Sequence, residues 1–420
     1  MRCALRARAA ATIVGVKAPA RLRRLGVSTL APQGHVALFD PLGVSPSARE
    51  GGLVLDEYEW RIAQTFDGRT TLMELASAAE SGDRDAHDSG EGLTRVRALA
   101  ERLSREHVLE DEQFERALAR EFERFRRSDR RAACGAGSEY PSDPFDLRLR
   151  LGGVVADDWD MPPLAGVAGL WAPGGPLPAA AALHGRAWAA VRHTTQRFER
   201  VVLLGSVGAP LENVLVPLAK SFDTPLGALE VDREALAFLG VLPGRAQIAH
   251  GATNVLERQA LFVRLLFPRA AIVPILVSGL EVDRDPASDA RFAEALDALS
   301  RLAIVPGTLF VAAADLFHQR RPSGSGPIAA GARITEADRR QVRAVEELDA
   351  AAFAAAALED GDGARCAQAG APYLLLALLA AQAARAGIEL TATNLGYLQC
   401  PTPGALFTAA AAVFHRGPAT

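Results

Sequence analysis

The sequence predicts an α/β protein whose larger part is a three-layer domain with a mostly parallel central sheet, preceded by a small α+β domain. Three observations carry this. First, Gly166–Trp171, Val201–Leu204, Ala271–Leu276 and Leu309–Ala313 are short apolar runs with charged, polar or glycine borders, as expected of strands buried on both faces. Second, the segments between them carry helical spacing, and alternation of that kind builds parallel sheets covered by helices. Third, the first part of the chain lacks this alternation and reads as consecutive helices. A length of 420 residues suits two domains better than one core.

In the small domain, placed at residues 28–128, His35–Asp40 suggests a short strand that turns at Pro41-Leu42-Gly43. Tyr58, Ile62, Ala63 and Phe66 have helical spacing up to the stop at Asp67-Gly68. Thr71 and Glu74 form a capping box ahead of a second helix. A polar loop from Ser81 to Glu91, a third amphipathic helix over Leu93–Leu103 and a short strand at His107–Leu109 follow. This order suggests a winged helix. The run Phe66-Asp67-Gly68-Arg69-Thr70-Thr71 with Glu74-Leu75 resembles PqqD-like domains, which implies binding of a leader peptide along a strand edge. No basic recognition helix stands where DNA readout would need one. Arg116, Arg120 and Arg124 recur every four residues between Glu112 and Arg127, among acidic residues that make them a solvated helix face.

A net charge of −4 supplies no bulk attraction to nucleic acid or anionic lipid. Of the 46 basic residues only Lys17 and Lys220 are lysine, a compositional bias that discounts arginine clusters. Cys3, Cys134, Cys366 and Cys400 lie far apart, without the spacing of a structural zinc site or disulfide scaffold, which fits a reducing cytoplasm. The arginines around Ala9–Val16 lack the long apolar core of a targeting segment, and residues 1–27 read as a disordered or mis-started leader. No window of roughly 20 apolar, uncharged residues suggests a membrane span.

In the large domain, placed at residues 129–420, the strand Val201–Leu204 ends in Gly205-Ser206-Val207-Gly208, at the sheet edge where ligands of such folds bind. The motifs Ala136-Gly137-Ser138-Glu139-Tyr140-Pro141, Thr224-Pro225-Leu226-Gly227 with Val231-Asp232, Ala249-His250 with Glu257 and Gln259, and Asp315 with His318 together resemble the MEMO family, whose bacterial members include AmmeMemoRadiSam system protein B. The resemblance runs from Arg131 almost to the C-terminus. It implies the fold of class III extradiol dioxygenases and a site of two histidines and a cysteine around iron or copper. It further implies a radical-SAM companion.

This chain departs from that pattern at the positions that matter most. Gly174 and Gly208 stand where the family has its two histidines, and Asn254 replaces another. The family's cysteine lies four residues before a proline; here Cys366 lies six before Pro372, and strict spacing puts Gln368 in its place. His184 and His193 on the helix after Gly174 are remote substitutes. Two readings stay open. One is a non-catalytic binding or accessory protein that keeps a cleft lined by Gly174, Gly208, Thr224, Asn254 and Gln259. The other is an enzyme that rebuilds the cleft around Asp315, His318, Glu257 and His250, with His318 and Cys366 as metal ligands. In the second reading the Asp315 carboxylate orients the His318 imidazole, three residues away, for acid–base work.

Overall fold

The computed structural model describes residues 19–30, 35–47, 52–81, 89–156, 163–192, 194, 196–242, 244–320, 331–359, 363–402 and 405–417. Residues 1–18 of the leader expected at 1–27, His193, most of the polar loop from Ser81 and all but Gly331 of the Gly-, Ser- and Pro-rich stretch Pro322–Gly331 fall outside them, whereas Gly26 and Val27 of that leader stand in a strand. The chain divides into two compact units, Met1–Glu123 and Arg124–Thr420.

In the first unit β1 (Gly26–Leu30), β2 (His35–Phe39) and β3 (Leu53–Leu55) form an antiparallel sheet in that order. Helices α1 (Glu57–Ala63), α2 (Leu72–Ser81) and α3 (Ser89–Arg105) follow, and α4 (Glu112–Arg126) crosses the division between the units. Val36, Leu38, Leu55, Ile62, Phe66, Val96 and Leu103 share one buried cluster, which fastens the helices to the sheet. The expected capping box forms, with the Glu74 amide donating to Thr71 Oγ1 at 3.3 Å and the Thr71 amide to Glu74 Oε2 at 2.8 Å. A second box, Asp56 with Glu59, opens α1. The strand expected at His107–Leu109 is reduced to a single bridge between Leu22 and Leu109. Two of the three strands, β1 and β3, escaped the sequence reading, β1 because Val27 and Leu30 are its only apolar side chains and β3 because it has three residues.

The second unit runs β4 (Arg130–Arg131), α5 (Pro144–Ala156), β5 (Val167–Ala172), α6 (Leu177–Arg192), β6 (Arg200–Ser206), β7 (Leu215–Pro217) and β8 (Ser221–Phe222). It continues through α7 (Arg233–Leu239), α8 (Ala249–Ala252), α9 (Val255–Leu266), β9 (Ala271–Val277), α10 (Ala290–Ala303), β10 (Thr308–Ala313) and β11 (Phe317–Arg320). Helices α11 (Ala332–Glu346), α12 (Ala350–Leu358) and α13 (Gly363–Ala386) precede the closing hairpin β12 (Leu390–Thr402) and β13 (Ala405–Arg416). β5, β10, β6 and β9 are parallel neighbours in that order, and their apolar runs are the four read from the sequence. β7 closes one side antiparallel to β9, while β13 lies antiparallel to β5 and carries β12 outside it.

Small residues show how the sheet is covered. A Cβ on Gly169 would stand 3.0 Å from Leu379 of α13, whereas one on Gly205 would stand 2.5 Å from Leu256 of α9. These glycines point to opposite faces, so the sheet is sandwiched between helices. Trp171, Val202, Ile275, Phe310, Phe353 and Leu374 belong to the core on the α13 face.

One expectation needs correction. The Ala- and Glu-rich stretch Thr335–Leu358, whose composition predicts one long helix, is broken at Leu348, which has φ 55°, after which the Asp349 side chain caps α12 by accepting from the Ala352 amide at 2.9 Å. In addition, Ala364–Ala386 is long and apolar enough to cross a membrane, but 72% of its most apolar window is buried inside this unit. It is a core helix whose apolar residues face the sheet.

Candidate functional site

The carboxyl ends of β5, β6 and β10 lie side by side, because the strands are parallel neighbours. β13 is shared along one edge by β5, through Ala412–His415, and by β11, through Ala405–Thr408. The turn after β5 therefore meets the turn into β11 beside the small residues Ala409–Ala411. There Asp315, 2% exposed, accepts from the amides of Gly174 at 3.1 Å and Gly175 at 2.9 Å through Oδ1. Its Oδ2 lies 2.8 Å from His318 Nδ1. A carboxylate only accepts, so Nδ1 is the ring nitrogen that donates to Asp315. The imidazole stacks on Phe407 with centroids 5.7 Å apart, and its side chain is 23% exposed. A buried acid thus orients a partly accessible imidazole, a pair able to accept a proton or a hydrogen bond.

The turn 172–175 is held at every step. Gln259 Nε2 donates to the Pro173 carbonyl at 2.9 Å, and Gln259 Oε1 accepts from Trp188 Nε1 at 3.0 Å. Arg258 donates to the Gly174 carbonyl and pairs with Glu139. His184, fully buried, sits 3.1 Å from the Gly175 carbonyl through Nε2, and burial pulls its pKa down to about 4. His184 is therefore a neutral donor to the backbone near neutrality.

The two glycines differ in their surroundings. A Cβ at Gly174 would stand 3.1 Å from the Ala314 Cα and 3.2 Å from the Asp315 nitrogen, so backbone occupies the space beside it. Gly208 has φ +78°, a conformation that favours glycine, and the single heavy atom within 4 Å of its would-be Cβ is Gln368 Nε2 at 3.7 Å. Gln368 is 8% exposed, and its carbonyl accepts from Ser206 Oγ at 2.7 Å, tying α13 to the end of β6. Thus Gln368 faces Gly208, while Cys366 turns away. The Cys366 thiol is buried in the apolar core and donates to the Ala357 carbonyl at 3.2 Å.

The other named residues have definite occupations. Both Glu257 oxygens are engaged in the interior. They accept from the amides of Cys134 at 3.1 Å and Gly135 at 2.7 Å, from the Tyr140 hydroxyl and from Arg131. Arg131 also donates to the His250 carbonyl at 2.8 Å, the Thr253 carbonyl at 2.7 Å and Asn254 Oδ1 at 3.3 Å. Glu257, Asn254 and the His250 main chain therefore hold the segment 131–140 against α8 and α9. The His250 ring contacts the Val216 carbonyl through Nε2 at 2.8 Å, and burial lowers its pKa to about 3. Thr224 closes the Thr-Pro-Leu-Gly turn by donating to the Gly227 carbonyl at 2.6 Å and accepting from the Leu226 amide at 3.1 Å. Asp232, the last residue of that motif, caps α7 and pairs with Arg200 at 2.6 Å.

Two contributors were not singled out in the sequence. Arg258 lies between Glu257 and Gln259, and its carboxylate partner is Glu139, where the family pattern has an aromatic; the change to an acid was the available signal. Trp188 carried no such signal.

Iron or copper would call for about three protein ligands and an open position. Among the described residues no group of three or more His, Cys, Asp and Glu side chains is placed to hold a metal ion. Asp315 has both oxygens engaged, Cys366 is in the core, and Gly174 and Gly208 offer no ligand atoms. These residues do not fit such a centre.

The sequence of the unit that carries this sheet matches a known family. Residues 130–391 match the sequence model described as Memo-like protein, and the chain belongs to that family. Over 180 residues it is 26% identical to a MEMO1 family protein of Aquifex aeolicus (strain VF5), a match covering 42% of this chain and 47% of that relative. The chain thus matches about half the length of its curated relative.

Proposed function

We propose that this protein is a non-catalytic Memo-family member, a binding or accessory component of an AmmeMemoRadiSam-type system that works beside a radical-SAM enzyme in the cytoplasm. The observation that carries this reading is the occupancy of the family's ligand positions. Two are glycines, and the nearby thiol of Cys366 is turned into the core. A cleft can keep its shape after losing its chemistry, since fold alone does not confer activity.

The first unit fits the same role as a PqqD-like winged-helix domain. Its sheet has two outer strands, β1 and β3, each bonded on one side within that sheet. Such an edge offers main-chain donors and acceptors to an extended peptide, which is the basis of strand addition.

One observation favours a second reading. Asp315 and His318 form an oriented pair whose Nε2 is free of the carboxylate, as a rebuilt oxidoreductase or dioxygenase-like site would require. Oxygen uptake separates the two. Full-length protein reconstituted anaerobically with iron or copper and supplied with ascorbate is expected to consume oxygen no faster than the same metal with His318→Ala protein. A faster rate that disappears in His318→Ala would favour the enzyme.

A further inference from the structure

We propose that the groove between the end of β7 and α7 is a binding site for a small apolar carboxylate, an aliphatic chain ending in one acid group. The site goes beyond the accessory reading and stands apart from the cleft, since β6 and β9 lie between β7 and β10 in the sheet.

The groove has a volume of about 340 Å³, at the lower end of the roughly 300–1,000 Å³ of small-ligand sites. Pro217 and Ala219 line it from the strand side, and Leu236, Ala237 and Leu242 from the side of α7 and the turn after it. Leu242 is 86% exposed, and Phe238, the neighbour of Ala237, is 50% exposed. Apolar surface left open to water around a concavity gains when an apolar chain covers it.

The charge of the groove comes from one group. Arg233 is the single charged residue among those lining it, and among the described residues its guanidinium has no hydrogen-bond or carboxylate partner. The preceding carboxylate, Asp232, is engaged elsewhere, accepting from the Ala235 amide at 2.8 Å and pairing with Arg200 at 2.6 Å. At Gly240 the Arg301 guanidinium stands 3.0 Å from where a Cβ would be, and it too is basic, though paired with Asp297 at 2.8 Å. An unpaired cation beside an apolar wall is complemented by an anion that carries an apolar tail.

The strand side favours a free acid over an extended peptide. β7 is an edge strand of three residues, and its groove residue Pro217 has no N–H with which to receive an added strand. The ligand is therefore held by its chain and one head group rather than by a row of main-chain bonds.

The test is a ligand-observed NMR titration of the full-length protein with octanoate, butanoate and octanamide, repeated on Arg233→Gln and Ala237→Trp. Both positions are exposed, and circular dichroism confirms that the variants are folded. Wild type is expected to bind octanoate about tenfold or more tightly than butanoate, because the added methylenes enter the groove. It is expected to prefer octanoate to octanamide by about fivefold, because Arg233 pairs with the acid. Arg233→Gln should abolish that preference and leave octanamide unchanged, whereas Ala237→Trp fills the groove and should weaken octanoate and octanamide alike by about tenfold. Equal binding of octanoate and octanamide by wild type, a preference that survives Arg233→Gln, or no gain from butanoate to octanoate would overturn the proposal. So would a dimer in light scattering that Ala237→Trp dissociates, which would assign the groove to a second copy of the chain.

Discussion

Replacing Arg131 with leucine is expected to destabilise the larger unit by about 3–5 kcal/mol, because it leaves a carboxylate buried without its cation. Glu257 has no solvent exposure and Arg131 only 4%. Removing the guanidinium also frees the carbonyls of His250 and Thr253, which accept from it at 2.8 and 2.7 Å. Glu257→Gln should cost less, because it leaves no buried carboxylate and its carboxamide oxygen can still accept from the Gly135 amide, which donates to Oε1, or from the Cys134 amide, which donates to Oε2. Urea unfolding of the three proteins measures the difference. A loss below about 1 kcal/mol in Arg131→Leu would show that water reaches Glu257 and that the segment 131–140 is not anchored by the pair.

Acidification from pH 7 to pH 5 is expected to cost about 4 kcal/mol through His184 and His250. Both are fully buried, and burial depresses their folded values to about 4 and about 3 from an ordinary value of 6.5. Below pH 6.5 the unfolded chain takes up these protons while the folded chain does not, so protonation favours unfolding. Each group then removes about 1.4 kcal/mol per pH unit until the pH reaches its folded value. Glu139, held below its ordinary value despite burial by its pairing with Arg258, contributes stability that is lost only at lower pH, outside this window. Urea midpoints at pH 7, 6 and 5 should fall steadily, and His250→Gln should reduce the slope by about half. A flat profile would mean that the two imidazoles are hydrated.

Much of the architecture was legible in the sequence because four inner strands announce themselves as uninterrupted apolar runs. Strands β1 and β3 left no such trace, the first being poor in apolar residues and the second three residues long, and the break at Leu348 could not be read in a stretch where alanine supports helix on both sides. Residues for a candidate site could be named from the sequence, but their occupations could not. Asp315 and His318 stand three apart, and the structure brings them to 2.8 Å. Glu257 looks like a catalytic acid when listed beside them, yet its partners come from residues 131–140, a distance in sequence that no local pattern encodes. Thr224 has the same history, since a threonine before Pro-Leu-Gly reads equally as a cleft residue or as the cap of a turn. Gln368 could be placed only by counting back from Pro372, and its approach to Gly208 is visible only in three dimensions.

The measurement that bears most directly on the central claim is metal content by mass spectrometry, on wild-type and His318→Ala protein purified without oxygen and offered iron and copper. Wild type is expected to hold far less than one metal ion per chain and to match the variant, because Gly174, Gly208 and Cys366 offer the cleft no ligand set. Near-stoichiometric metal in wild type, lost in His318→Ala, would show a rebuilt centre around His318 and contradict the account.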